Sequence, residues 1–224
     1  MNKVTNILLL LVTLPILALT VFVGRDLPME LLKTSGANLP YKTAIFAFLA
    51  SVIFLLVFKR SLKRWVGMKM LLQTSRFEYN VEVSKSRKQR VILYTLLESA
   101  VMLMLSLAVF EVCKEAQFVS LAYGLGVIDA WMFCIIGYKL KGFRVGVTKK
   151  AMVHADRDVR AAYFLGLRKL SISQDTLYFD YIKDLKLHVP VNSVDEPKEL
   201  LHAILQQTDS EKVYVEESIK KIIA

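Results

Sequence analysis

Glu98 and Asp129 stand deep inside long apolar runs, VILYTLLESAVMLMLSLAVFEV (91–112) and QFVSLAYGLGVIDAWMFCIIGY (117–138). A carboxyl group in hydrocarbon is costly, so it marks either a proton or cation path or a hydrogen bond between helices. Glu98 follows Arg90 by eight residues and Asp129 precedes Lys139 by ten. At about 1.5 Å of rise per helical residue, both lie roughly 12–15 Å from the same interface. Tyr94, Glu98, Met102 and Ser106 recur every fourth residue and form one polar-edged stripe. Ala122, Gly126, Ala130 and Cys134 recur in the same way and form a small-residue groove that Asp129 borders. A hairpin of the two runs, turning at CKEA (113–116), brings the acids together, and two carboxylates that close share a proton. With no Lys or Arg in the interior of a span, each acid is expected to be protonated, hydrogen-bonded or facing water. Tyr94, Thr95 and Ser99 are the local partners. The chemistry is then either a proton relay or neutral hydrogen-bond glue between helices or subunits.

The elements that position these acids are membrane spans. Residues 4–23 and 41–58 are two further apolar runs, each near the roughly 20 residues that a helix needs to cross about 30 Å of hydrocarbon. The first is read as a retained helix and not a cleaved signal peptide, because it is longer than an ordinary signal core. Pro15 is expected to kink it. On the second, Ala44, Ala47 and Ser51 form a small-residue side. Residues 24–40, with two prolines and two glycines, read as a short outer loop.

Between the two hairpins, residues 59–90 hold ten Lys/Arg against Glu78 and Glu82, a charge of +8 out of the chain's +10. A short loop this basic is retained on the cytoplasmic side, which puts both chain termini in the cytosol and the protein in the inner or plasma membrane. Its first half mixes cations with Leu62, Trp65, Val66, Met68 and Leu72, and could continue the preceding helix along the headgroups. Lys59, Arg60, Lys63, Arg64 and Trp65 are the candidate lipid-headgroup residues, and anionic phospholipid is the expected counter-charge. Topological excess charge is the plainer account of the same residues. Nucleic acid is not expected, since outside this stretch basic and acidic residues nearly balance.

Neither metal nor disulfide chemistry is indicated. His154, His188 and His202 lack ligand spacing, and Cys113 and Cys134 fall on the order of 20 Å apart on antiparallel helices. YGLGVID (123–129) has the glycines of the GxGD element of intramembrane aspartyl proteases, but its acid comes two residues too late. No phosphate loop, zinc motif or nucleophile elbow is present, so neither enzyme activity nor a cofactor is expected.

From residue 140 the pattern shortens to strand-like runs at 143–148, 150–155, 159–166, 168–173, 176–182 and 185–190. DEPKELLHAILQQ from Asp195 reads as a capped helix, and SEKVYVEESIKKIIA (210–224) as a second one. Strands followed by a helix indicate a small α+β domain. This order, with TLYFDYIKDLKLHVP as a late hairpin before DEPKELLHAILQQ, resembles the bacterial PH-like domains that follow transmembrane hairpins, over residues 143–206. The resemblance implies a binding or assembly module without catalytic residues. Lipid-binding members use a basic loop between early strands, which here would correspond to Lys149 and Lys150 with Arg157 and Arg160 nearby.

The expected architecture is a four-helix membrane region over 1–139 and a cytosolic α+β PH-like domain over 140–224. The expected role is membrane anchoring with protein or lipid binding inside a homo-oligomer or membrane complex. The alternative is a small proton-coupled transporter or channel component that uses Glu98 and Asp129.

Overall fold

The structure is a computed structural model that describes residues 2–30, 33–182, 185–208 and 213–223. Four long helices carry the apolar runs: α1 (Asn2–Gly24), α2 (Lys42–Leu72), α3 (Lys85–Val112) and α4 (Gln117–Lys139). All four are long and apolar enough to cross a membrane. A two-residue antiparallel hairpin, β1 (Pro28–Met29) with β2 (Thr34–Ser35), lies in the segment read as a loop. Pro15 lies inside α1, which runs on to Gly24.

α2 does not end with its apolar run at residue 58 but continues to Leu72. No proline interrupts KRSLKRWVGMKMLL, the helix runs through its one glycine, Gly67, and its cations are good helix formers. The basic stretch therefore supplies helix, and beyond it a strand. β3 (Tyr79–Glu82) follows a 3-10 turn at Thr74–Arg76 and precedes α3.

The chain divides into two compact units, Met1–Leu62 with Leu93–Cys134, and Lys63–Ile92 with Ile135–Ala224. The second unit takes in Lys63–Ile92, that is the end of α2, the stretch after it and the start of α3, and resumes at Ile135 within α4, where the sequence reading divided the chain at residue 139.

In the first unit, Ile16, Phe46, Ile53, Val109, Val119 and Tyr123 are fully buried. Ser106 and Ser120 exchange hydrogen bonds, each hydroxyl donating to the other's carbonyl at 2.8 Å. That reciprocal pair fixes α3 against α4 near their turn. The turn itself is the Lys114–Ala116 3-10 segment.

In the second unit, β3 pairs with β4 (Arg144–Val147), Tyr79 opposite Val147 and Glu82 opposite Arg144. β5 (Ala151–Ala155) and β6 (Val159–Tyr163) complete an antiparallel sheet in the order β3-β4-β5-β6. β7 (Leu167–Ser173), β8 (Thr176–Tyr181) and β9 (Lys186–Pro190) form a second antiparallel set, and α5 (Pro197–Gln207) follows. Each of these strands begins within a residue or two of its expected start. The final segment differs: β10 (Tyr214–Val215) precedes the short helix α6 (Glu217–Ile223), and β10 lies parallel to β7. The first residues of that segment, 210–212, lie outside the described residues. Val145, Val147, Leu170, Leu177, Phe179, Leu200, Leu201 and Ile204 are buried.

All five residues of β5 are buried. Val153 and Ala155 pack on Leu71 of α2, and strand alternation turns Met152 and His154 to the opposite face. Gly146 permits the close approach of α2 to this sheet, since a Cβ there would fall 2.7 Å from Leu71 Cδ2.

His154 is 1% exposed, and neither ring nitrogen has a hydrogen-bond partner among the described residues. Its Nδ1 lies 3.8 Å from Asp156 Oδ1. Asp156 accepts from Arg87 Nε at 2.9 Å, from Arg87 Nη2 at 2.5 Å and from the Asp158 amide at 3.0 Å. Burial lowers the His154 pKa, Arg87 and Arg160 add to the lowering, and Asp156 and Asp158 oppose it. Burial works against the Asp156 carboxylate, but its neighbours His154 and Arg87, together with the Asp158 amide, hold its pKa below the ordinary range.

For both groups the folded pKa lies below the unfolded one, so their stabilisation is present at high pH and lost as pH falls. The His154 contribution begins to fade below an unfolded value of about 6.5, at up to about 1.4 kcal/mol per pH unit. Thermal unfolding of the full chain between pH 7.5 and 5.5 should therefore show a falling midpoint. His154→Leu should flatten that dependence. An unchanged pH slope in the variant would remove His154 from the account.

Candidate functional site

Arg60 and Ser61 are consecutive on α2, and they reach two different helices. The Arg60 guanidinium grips Glu98 of α3 with two donors, Nη1 to Oε1 and Nη2 to Oε2, the latter at 2.5 Å. The Ser61 hydroxyl donates to Asp129 Oδ1 of α4 at 2.6 Å. The third side is closed by Trp131 of α4, whose Nε1–H donates to Ser99 Oγ of α3 at 3.0 Å. Ser99 in turn donates to the Leu96 carbonyl at 2.8 Å within α3. Three helices are thus joined pairwise by a closed ring of polar side chains at one level.

The geometry follows from helix spacing. Neighbouring residues on a helix diverge by about 100°, so 60 and 61 point to different partners. Arg60 is 7% exposed, and the Glu98 side chain is 19% exposed. A bidentate arginine–carboxylate pair fixes orientation as well as charge. α1 is joined separately: Thr13 and Tyr123 share a hydrogen bond of 2.7 Å, with Tyr123 fully buried.

Each acid is attached separately to α2, Glu98 to Arg60 and Asp129 to Ser61, and neither attachment was among the expected contacts. The sequence reading ended the second span at residue 58 and counted Arg60 among the headgroup residues. With α2 unbroken, Arg60 turns its charge inward to an acid instead. Tyr94 is exposed, whereas Met102 and Ser106 are buried, so the four-residue stripe on α3 faces inward in its second half. Ala122, Gly126, Ala130 and Cys134 are all buried. At Gly126 a Cβ would lie 3.2 Å from Met102 Sδ and 3.2 Å from Val57 Cγ1, which is the close approach that a small residue allows. Both cysteines are free.

Of the headgroup candidates, Lys59 is exposed, Lys63 and Trp65 are half-buried, and Arg64 is buried at 4% exposure. Lys149 and Lys150 are exposed in the turn before β5, while Arg157 and Arg160 follow β5. Arg160 lies within β6 opposite His154. Arg160 donates to the His188 carbonyl at 3.2 Å.

No family model, curated protein or solved structure matches the chain.

Ser61 and Trp131 were missed from the sequence. The usable signal lay in Leu62, Trp65, Val66 and Met68, whose spacing extends the second span's helix and carries residues 60 and 61 along it. Removing one partner of the Arg60–Glu98 pair leaves an uncompensated charge and should cost about 3 kcal/mol. Arg60→Met and Glu98→Leu should each lower the unfolding midpoint in nanodiscs, and the double variant should recover most of the loss. Additive losses in the double variant would show that the two side chains act independently.

Proposed function

We propose that this chain is a non-enzymatic membrane protein whose helices anchor a PH-like interaction module on the cytosolic side. In this reading the +8 stretch at 59–90 stays inside, the termini are cytosolic, and the second unit binds protein or anionic phospholipid within an oligomer or membrane complex. The observation that carries it is the attachment of both intramembrane acids to α2, Glu98 to Arg60 and Asp129 to Ser61. Acids held this way serve as joints between helices, which supports anchoring over proton transfer. The strand-then-helix order of β4 to β9 and α5 supports the PH-like reading of the second unit.

The unit's first strand, β3, comes from between α2 and α3, so a fragment starting at residue 140 would lack it. Tests therefore use the full chain. In proteoliposomes loaded with a pH-sensitive dye, the wild-type chain and Glu98→Gln/Asp129→Asn should both give proton flux no greater than empty vesicles. Flux in the wild type that the double variant abolishes would favour the transporter instead. In neutral-lipid nanodiscs, the chain should bind added anionic vesicles, and Lys149→Glu/Lys150→Glu should weaken that binding several-fold. Equal binding by both would remove those lysines from lipid recognition.

A further inference from the structure

The second unit ends in a pairing unlike its other strand pairs. β10 lies parallel against β7, Tyr214 opposite Lys169 and Val215 opposite Leu170, whereas the other pairs described in this unit are antiparallel. The Glu216 amide extends the ladder by donating to the Leu170 carbonyl at 3.0 Å. β7 is seven residues long and β10 only two. Beyond that contact, no strand pairs with the outer edge of β7 at Ser171–Ser173 among the described residues. Exposed strand edges of this kind accept further strands.

The segment is seated by its side chains. Val213 is 6% exposed and Ile219 fully buried, while Tyr214 between them is 62% exposed, with Lys169 Nζ 5.8 Å from its ring centre. α6 then packs on α5 and β7. The pattern is that of a ligand: an extended backbone on a strand edge, one buried aliphatic group before it, and a helical turn that buries a second.

We propose that the outer edge of β7 is a strand-docking site, that Val213–Ile219 occupies it in cis, and that the same segment of a second copy occupies it in trans. The inference rests on the reading of this unit as an interaction module. A second copy is the occupant because the ligand whose fit is displayed is this chain's own. Exchange between identical chains preserves each contact and is a low-cost route to association. The covalent tether gives the cis segment an effective concentration of roughly millimolar, so trans docking requires copies crowded together or the cis segment unseated.

The test uses the full chain in neutral-lipid nanodiscs, with Cys113→Ala and Cys134→Ala as background, and a fluorescent peptide of residues 210–224 as probe. A chain ended after Thr208, and a full-length chain carrying Val213→Asp and Ile219→Asp, should each bind the peptide at least tenfold more tightly than the background chain. Lys169→Cys/Tyr214→Cys, oxidised in cis, should not bind it until reduced. A copy carrying Lys169→Cys and ended after Thr208, mixed in detergent with a differently tagged full-length copy carrying Tyr214→Cys and oxidised, should yield a disulfide-linked heterodimer. The proposal is overturned if the two unseated chains remain folded yet bind the peptide no better than the background, or if no heterodimer forms. If those chains still bind anionic vesicles, only the docking site falls. If they bind neither peptide nor vesicles, the module reading falls with it.

Discussion

Within a bilayer, apolar helices gain little by touching each other, since lipid tails offer the same apolar surroundings. Association depends on close packing and on polar groups that must find partners, and the ring formed by Arg60, Ser61, Glu98, Ser99, Asp129 and Trp131 supplies the second term for three helices. A guanidinium in the ring lets an acid be retained in the bundle without remaining an isolated charge. The packing term is supplied on the same helices by Gly126 against Met102 and Val57, and by the Ser106–Ser120 exchange.

The second unit solves a different problem. Its sheet would have an open edge at β4 if it were built from residues after α4 alone, and β3 covers that edge with four residues drawn from between two spans. The same stretch brings Leu71 against Val153 and Ala155, and Arg87 against Asp156. At Arg87 the basic character of the stretch thus has a structural use.

The spans were legible because a mostly apolar run of about twenty residues has few alternatives to a membrane helix. The strands after residue 140 were legible because turn residues separate short runs of alternating character. β3 was not, because Tyr79–Glu82 sits among cations and has its partner more than sixty residues away. β10 was not, because a two-residue parallel contact has no period to detect, and the segment's ending, EESIKKII, reads as helix throughout. At the candidate site the acids could be singled out from their setting, but their partners could not. A cation beside a span is ordinarily a topology signal, and only the unbroken course of α2 reveals that Arg60 turns inward.

The pairing of β3 with β4 also constrains the order in which the protein can be made. Glu82 leaves the ribosome well before Arg144, its opposite residue, with the whole of α3 and α4 synthesised in between. At roughly 5–20 residues per second, that interval lasts about 3–12 s. During it the nascent strand has no mate, and all of α3 and α4 must be made before the sheet can close. Closure of the β-rich unit thus waits on the two apolar helices, and a pause while they are made leaves an unpaired strand edge open to aggregation or to chaperone capture.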